Sequence, residues 1–382
     1  MVKSRHSIIR FDVSGDTTQA AAEIARESSG SALTVIFASA DHDLAALGAL
    51  LASRGVTRSV GAAAGRVIGA NGISAHGVSG FHLPAGRFAA TSTIIEDAAT
   101  LGLPQIRSQV HRLISDLERG AGGTLPHRFA LLFADAEARC EERLAAVIAM
   151  ALNGVPLIGG SAGDLYFNPL GHPPGSTRIL HAGRALRGAA ALCLVASASP
   201  FVATCHNHYV TSDRRVVITD ADPARRLVRE IDGRPAVDVY AALCGFGHRP
   251  VESRDFAPYP LMIRIGGQYY ARGVQRIYTD GALEFACSLE PGLVVAMARP
   301  GDMLERLADM FASMRASIGT PELVIGLDCA ARTAFMEQRG LSQKITTVLK
   351  RHAVTGFASL GEQFNSIHAN NSFTCIGIGV AS

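Results

Sequence analysis

The sequence has no block of positive charge, no paired cysteines, no long apolar run and no tandem repeat, and each absence removes a class of protein. Lysine and arginine outnumber aspartate and glutamate by only 36 to 33 among 382 residues, and the basic residues are scattered along helix edges. A nucleic-acid binder, whose affinity rests on a dense positive stripe, is thereby excluded. The seven cysteines are an odd number, widely spread, with no Cys-x-x-Cys pair; this fits a reduced, cytosolic thiol population. The first residues begin basic but lead into no uninterrupted apolar stretch, so no signal peptide is expected and the protein is expected to remain cytoplasmic. The longest uncharged run, Gly188 to Ser212, carries Ser, Thr, Asn and two His. It suits a buried strand better than a membrane span, and no transmembrane segment is expected. No period of roughly 20 to 50 residues recurs, and no low-complexity linker separates one part of the chain from another.

What is present is enough apolar sequence, 48%, to bury one or two full cores. Up to about residue 190 short apolar runs alternate with helical patterns. Leu33–Ala38, Ser59–Ile68, Phe88–Ile95 and Phe129–Phe133 read as strands, and Asp41–Arg54, Pro104–Arg119 and Ala136–Leu152 read as helices, the first capped by Asp41. From Ala189 the texture turns to strands and glycine turns, with Gly266-Gly267 joining Leu261–Ile265 to Gln268–Gly273 and Asp280-Gly281 forming a second hairpin. A helix over Met303–Ile318 and strands at Leu323–Leu327 and Thr374–Val380 complete the chain. The expectation is a mixed α/β protein of two packed domains, 1–190 and a sheet-rich 191–382, that work together.

Two motifs carry candidate chemistry. Gly159-Gly160-Ser161-Ala162-Gly163-Asp164 follows the apolar Val155–Ile158, which places a flexible loop at a strand's carboxyl end. Its open readings are a tight turn or a ligand-cavity loop through Gly159, Gly160, Ser161 and Asp164. No Gly-Lys-Ser/Thr follows, so it is not a P-loop. In Cys205-His206-Asn207-His208-Tyr209, an extended backbone would put His206 and His208 on one strand face. Two imidazoles in an apolar strand are costly to bury without a partner, and neutral imidazole ligates haem iron and zinc. Metal or haem ligation, another ligand contact and structural hydrogen bonding all stay open for the pair. A metal-dependent enzyme using His-x-His with a remote carboxylate is a further alternative. Asp164, Asp328 and Glu362 are carboxylates that nothing in the sequence brings together, and Cys329 reads as an inert buried thiol. The segment Gly356–Phe364, with His368 and Asn370-Asn371 beyond it, is dense in hydrogen-bonding groups; a loop over a pocket and a surface turn are both open there.

Ser59-Val60-Gly61, the Gly159–Asp164 stretch, and Ile218-Thr219 through Glu230-Ile231-Asp232-Gly233-Arg234-Pro235-Ala236 to Tyr240 together resemble the FIST family of sensory proteins. The resemblance implies an N-terminal and a C-terminal FIST domain and a non-catalytic role. His206-Asn207-His208-Tyr209, Gln268-Tyr269-Tyr270-Ala271-Arg272, Leu327-Asp328-Cys329 and Gly361-Glu362-Gln363-Phe364 look like its haem-binding, nitric-oxide-sensing subgroup. That likeness implies a histidine-ligated haem that binds nitric oxide and regulates a partner histidine kinase or a cyclic-di-GMP enzyme, a diguanylate cyclase or phosphodiesterase. The ligand role would pass to His206 or His208, with His368 in reserve. With no tryptophan and no Cys-x-x-Cys-His motif, such a haem would be held non-covalently. The family's other members imply a small organic ligand, such as an amino acid, as the alternative. No membrane or nucleic-acid partner is expected, and homo-oligomerisation stays open.

Overall fold

The computed structural model describes residues 7–121, 125–163, 177–247 and 249–381. The chain is mixed α/β, with four sheets. Three of the sheets repeat one plan. In the first unit, strand Ile9–Val13, helix Thr17–Glu27, strand Ser31–Ser39, helix Leu44–Ser53 and strand Ser59–Ala64 are followed by a hairpin, Val67–Gly69 with Gly72–Ser74, and a return strand, Val78–Pro84. The second unit runs Phe88–Ile95, helix Leu103–Ala121, His127–Asp135, helix Glu141–Leu152, Leu157–Ala162, hairpin Ile179–His181 with Arg184–Leu186, and Ala190–Ser197. The third opens with Phe201–His206 and resumes at helix Met303–Ile318. It continues through Leu323–Cys329, helices Ala330–Gln338 and Ser342–Arg351, and Val354–Ser359 to hairpin Glu362–Phe364 with Ile367–Ala369 and the return strand Phe373–Ile378.

In each unit the two strands joined by a helical crossover pair in parallel, and the return strand is antiparallel to the first of them. The hairpins are exchanged. That of the first unit extends the third unit's sheet, that of the second extends the first, and that of the third extends the second. The three sheets therefore close a ring around one core, in which Phe37, Phe133 and Phe357 meet with centroids 5.5, 5.0 and 6.2 Å apart. Gly61, Gly159 and Gly356 hold equivalent places, opposite Ile36, Leu132 and Gly326 of the neighbouring parallel strand. A Cβ at any of the three would press on the facing carbonyl oxygen. Glycine is what lets these buried strands approach so closely.

Between Phe201–His206 and Met303–Ile318 the third unit carries an insertion built on an eight-stranded sheet, with helix Ala236–Cys244 packed on it. Gly266 and Gly267, both at positive φ, make the expected hairpin turn that pairs Ile265 with Gln268. Arg226 anchors the insertion to the second unit through Glu141 and Glu142. The expected division at residue 190 falls at the start of a strand paired on both sides.

Two local expectations are corrected. Helix Leu44–Ser53 is capped by Asp43, whose side chain accepts from the amides of Ala45 and Ala46, rather than by Asp41. Ser59–Ile68 is two strands: Val67–Gly69 leaves the first sheet to join the third. Among the described residues, no helix is long and apolar enough to cross a membrane.

Candidate functional site

The glycine segment is placed differently from the loop expected. Gly159, Gly160 and Ser161 lie inside the buried strand Leu157–Ala162, between His127–Asp135 and the hairpin strand Glu362–Phe364. Their smallness serves packing: a Cβ on Gly160 would meet the Phe357 ring at 2.9 Å. Asp164 lies outside the described residues. Ser161 does enter a polar cluster, its Oγ accepting from Gln363 Nε2 at 2.9 Å, while that nitrogen also meets His368 Nδ1 at 3.1 Å.

His206 and His208 do not share one strand. The strand Phe201–His206 ends at His206, and the chain crosses through Asn207 and His208 to the insertion strand Tyr209–Asp222. Asn207 makes the crossing: its Oδ1 accepts the Tyr209 amide at 3.1 Å and its Nδ2 donates to the Tyr269 carbonyl at 3.2 Å. The two imidazoles nevertheless come close to one another and to Arg332. Burial, then the Arg332 charge, lowers His206 to about 4 and His208 to about 2, so both are neutral. The His208 ring lies between Tyr209 and Phe335, with centroids at 4.2 and 4.9 Å, and its Nδ1 is 3.2 Å from an Arg332 nitrogen. His368 sits in another sheet, and burial lowers its pKa first of all.

The Nε2 atoms of His206, His208 and His368 are enclosed and make no hydrogen bond to the described residues. They are chemically fit to ligate iron, but His208 is 0% exposed and His368 2%. A porphyrin would reach either of those two only by displacing packed neighbours, whereas His206 is half-buried. Among the described residues no three His, Cys, Asp or Glu side chains gather into a metal-binding group; the third ligand a His-x-His enzyme needs is not supplied by them.

Of the carboxylates that the sequence leaves scattered, Asp328 and Glu362 are brought together. Asp328 accepts from Arg332 Nε at 2.6 Å, both being about 1% exposed. Asp328 in turn raises Glu362, which burial above all pushes up to about 8, although the hydroxyls of Ser359 and Ser372 each donate to it at 2.6 Å. Arg332 is the residue that sequence reasoning misses; its signal is the four-residue spacing from Asp328 across a strand-to-helix junction.

Beside this polar cluster, helix Ala330–Gln338 begins at Cys329 with no side-chain cap. It faces a cavity of ≈ 60 Å³ lined also by Phe256, Gly273, Gln275, Leu360, Asn370 and Asn371. The Cys329 thiol meets the amides of Ala331 and Asn371, and burial pushes its pKa well up, which makes it a weak nucleophile. Asn371 Nδ2 donates to Tyr209 Oη at 3.0 Å and to the Ala257 carbonyl at 3.2 Å. Asn370 is 1% exposed, yet neither its Oδ1 nor its Nδ2 has a hydrogen-bond partner among the described residues. The polar stretch before the last strand thus does border a pocket, between the third unit and the insertion.

Residues 32–234 match the family model of the FIST N domain, and residues 236–365 match that of the FIST C domain. The junction between the two matches falls at Pro235, where the short strand Arg234–Pro235 gives way to helix Ala236–Cys244. No curated protein matches the chain.

Proposed function

Because the chain belongs to the FIST family, whose domains are signalling sensor domains, we propose that it is a non-catalytic cytoplasmic sensor that binds a small organic molecule in the cavity beside Asn370. The observation that carries this reading is the cavity itself, walled by both the insertion and the third unit and bordered by Asn370, a buried residue whose amide has no hydrogen-bond partner among the described residues. A buried amide left so costs roughly 1–3 kcal/mol, and a ligand that supplies the missing partners recovers it. The walls come from both the insertion and the third unit, so occupancy favours whichever packing of the two closes around the ligand. Such a change is what a partner histidine kinase or cyclic-di-GMP enzyme would read. A thermal-shift screen of small metabolites tests it: a ligand of the native state raises Tm in the parent protein and not in Asn370→Leu. A hit that Asn370→Leu binds equally well would remove this cavity from consideration.

A second reading, the haem-based nitric-oxide sensor, is favoured by one observation: three imidazoles held neutral, each with an Nε2 that has no partner among the described residues. It requires the packing around them to open on loading. Reconstitution with haemin should then give a Soret band that shifts with nitric oxide and is lost on replacing the ligand, His206→Ala or His208→Ala first and His368→Ala next. Absence of that band after reconstitution would end this reading.

A further inference from the structure

Phe88–Ile95 is the terminal strand of the second unit's sheet, paired only with Ala190–Ser197 among the described residues. Two contacts that flank the pairing fix which of its residues bond inward: the Asp135 amide donates to the Ala189 carbonyl, and the Ala198 amide to the Arg87 carbonyl. Successive residues of a strand turn their amide and carbonyl to opposite sides, so Ala89, Thr91 and Thr93 bond inward. Ala90, Ser92 and Ile94 turn theirs outward, where no strand among the described residues meets them. A groove of ≈ 700 Å³ lies there between the first and second units. Five consecutive residues, Phe88 to Ser92, line it. Neighbouring side chains leave opposite faces of a strand, so a groove that touches all five follows the strand's edge. We propose that this edge takes up an extended segment of a partner protein as an added strand, with a bulky apolar side chain beside Ala90 and a carboxylate against Arg58.

The ring itself indicates what the groove accepts. Ala90 and Phe201 stand opposite Val195 and Ile378 of the return strands, which in turn face Phe129 and Leu323. They are equivalent positions of the second and third units, and Ile8 is that of the first, one residue before the Ile9–His82 pair. Phe201 packs on Phe129 of the neighbouring sheet with ring centroids 5.2 Å apart, and Ile8 joins Leu323 in the ring core. At the second unit the corresponding pair is Ala90 and Leu33, and both line the groove. The alanine leaves the space that Phe or Ile fills at the other two junctions. Arg58 also lines the groove, is exposed and joins no ion pair among the described residues, whereas the carboxylate of Asp116 is held by Arg119. Charge complementarity therefore selects an acidic side chain on the incoming segment. The strand has no Lys, no Pro and no bulge along this run, the devices that keep an open edge unpaired. Main-chain hydrogen bonds to Ala90 and Ser92 would supply affinity, and the space at Ala90 with the charge of Arg58 would supply selectivity.

The test uses the full chain and a blocked peptide probe, acetyl-Thr-Glu-Val-Phe-Val-Glu-Thr-amide, whose side chains read alike in both directions and so suit a parallel or an antiparallel fit. Calorimetry should show binding, and residue-resolved hydrogen exchange should show the Ala90 and Ser92 amides slowed by the probe. Two further probes are methylated on alternate nitrogens, one on Phe and Glu, the other on Val and Thr. One of them should bind about tenfold weaker or worse and the other nearly as well as the parent probe, because only every second amide faces the edge. Equal binding by both methylated probes overturns strand addition. Ala90→Phe supplies from within the side chain that the probe brings and should abolish binding. A probe with Lys for both Glu should bind the parent protein poorly and Arg58→Glu well, a reversal that does not depend on how Ala90→Phe folds. Absence of binding at about 1 mM probe, or binding that both variants leave unchanged, overturns the proposal. So does a dimer of the free protein in which the Ala90 and Ser92 amides are already protected, since the occupant is then a second copy.

Discussion

Replacing Arg332 by Met should cost the protein about 3–5 kcal/mol at pH 7, and the reasoning fixes how that cost depends on pH. Arg332 Nε lies 2.6 Å from Asp328 Oδ1, both side chains being about 1% exposed. At an effective dielectric near 20, two unit charges at that distance attract by ~6 kcal/mol, an attraction that opposes the desolvation of both groups, although burial still holds the Asp328 carboxyl above its usual range. Without the guanidinium, the carboxylate is buried and uncompensated. Its escape is protonation, and neutralising a carboxyl of ordinary pKa ~4 at pH 7 costs ~4 kcal/mol. That route caps the loss, which is why the penalty settles near the value found when one partner of a buried pair is removed. For a domain stable by ~5–15 kcal/mol this is a large share. Urea unfolding of the parent, Arg332→Met and the double variant Asp328→Leu with Arg332→Met reads it. The single variant's penalty should shrink toward pH 4, where Asp328 protonates without cost, and the double variant should recover most of the stability at pH 7. A penalty below ~1 kcal/mol, or one equal at pH 7 and pH 4, would refute the uncompensated-charge argument.

Two further outcomes follow from buried groups. In the fold Glu362 keeps its proton up to about pH 8, whereas unfolded it titrates near ~4.3; the folded state thus holds one proton more across that window, and Glu362 lowers stability by ~1.4 kcal/mol per unit as pH rises through it. His206 and His208 act with opposite sign, being neutral in the fold and protonated in the unfolded chain below ~6.5. These three groups together set a maximum near pH ~6.5, and Glu362→Gln should flatten the alkaline side; parallel urea midpoints for parent and variant between pH 6.5 and 8 would contradict this. Gly61→Ala and Gly356→Ala should each destabilise by more than the roughly 1 kcal/mol that separates glycine from alanine by propensity alone, since each Cβ meets a backbone carbonyl that cannot rotate away. Gly30→Ala, at an open turn with nothing near its Cβ but at φ 77°, serves as the strained but uncrowded control, and equal losses at all three would sink the crowding argument.

Local signals in the sequence translate well wherever the structure obeys local rules. The Phe88–Ile95 strand, the Met303–Ile318 helix and the Gly266-Gly267 hairpin occur where pattern and turn chemistry put them. The three-unit ring is not legible in the same way. Its repeat is far longer than a solenoid period, its third copy is interrupted between Phe201–His206 and Met303–Ile318, and its defining contacts join residues such as Ile68 and Gly356 that are remote in sequence. Only the recurrence of a glycine after an apolar or β-branched residue, in Val60-Gly61, Ile158-Gly159 and Thr355-Gly356, hints at it. At the site, alternation predicts a shared face for His206 and His208 only if one strand continues, and Asn207 turns the chain from one sheet into another. For Asn370 and Asn371 the polar density before a strand leaves a pocket loop and a surface turn both open, and only the structure places them at a cavity. The partners of Asp328 and Glu362 were hidden because the sequence does not show which strand ends meet.

The exchange of hairpins gives the cavity a mechanical context. Asn370 follows directly on the hairpin Glu362–Ala369, which is the third unit's contribution to the second unit's sheet. Gly273, Val274 and Gln275 of the insertion also line the cavity, Ala271 bridges to Asn370, and the insertion is tied back to the second unit by Arg226 on Glu141 and Glu142. A ligand held in the cavity would touch two bodies that both rest on the second unit. Its binding energy acts on their separation rather than on either body alone. The ring core, locked by Phe37, Phe133 and Phe357, has no comparable freedom, because densely packed interiors transmit strain without yielding. The outer surface of the insertion's eight-stranded sheet, where Val217 and Val294 pair while remaining exposed, is where a change in that packing would be visible to a partner.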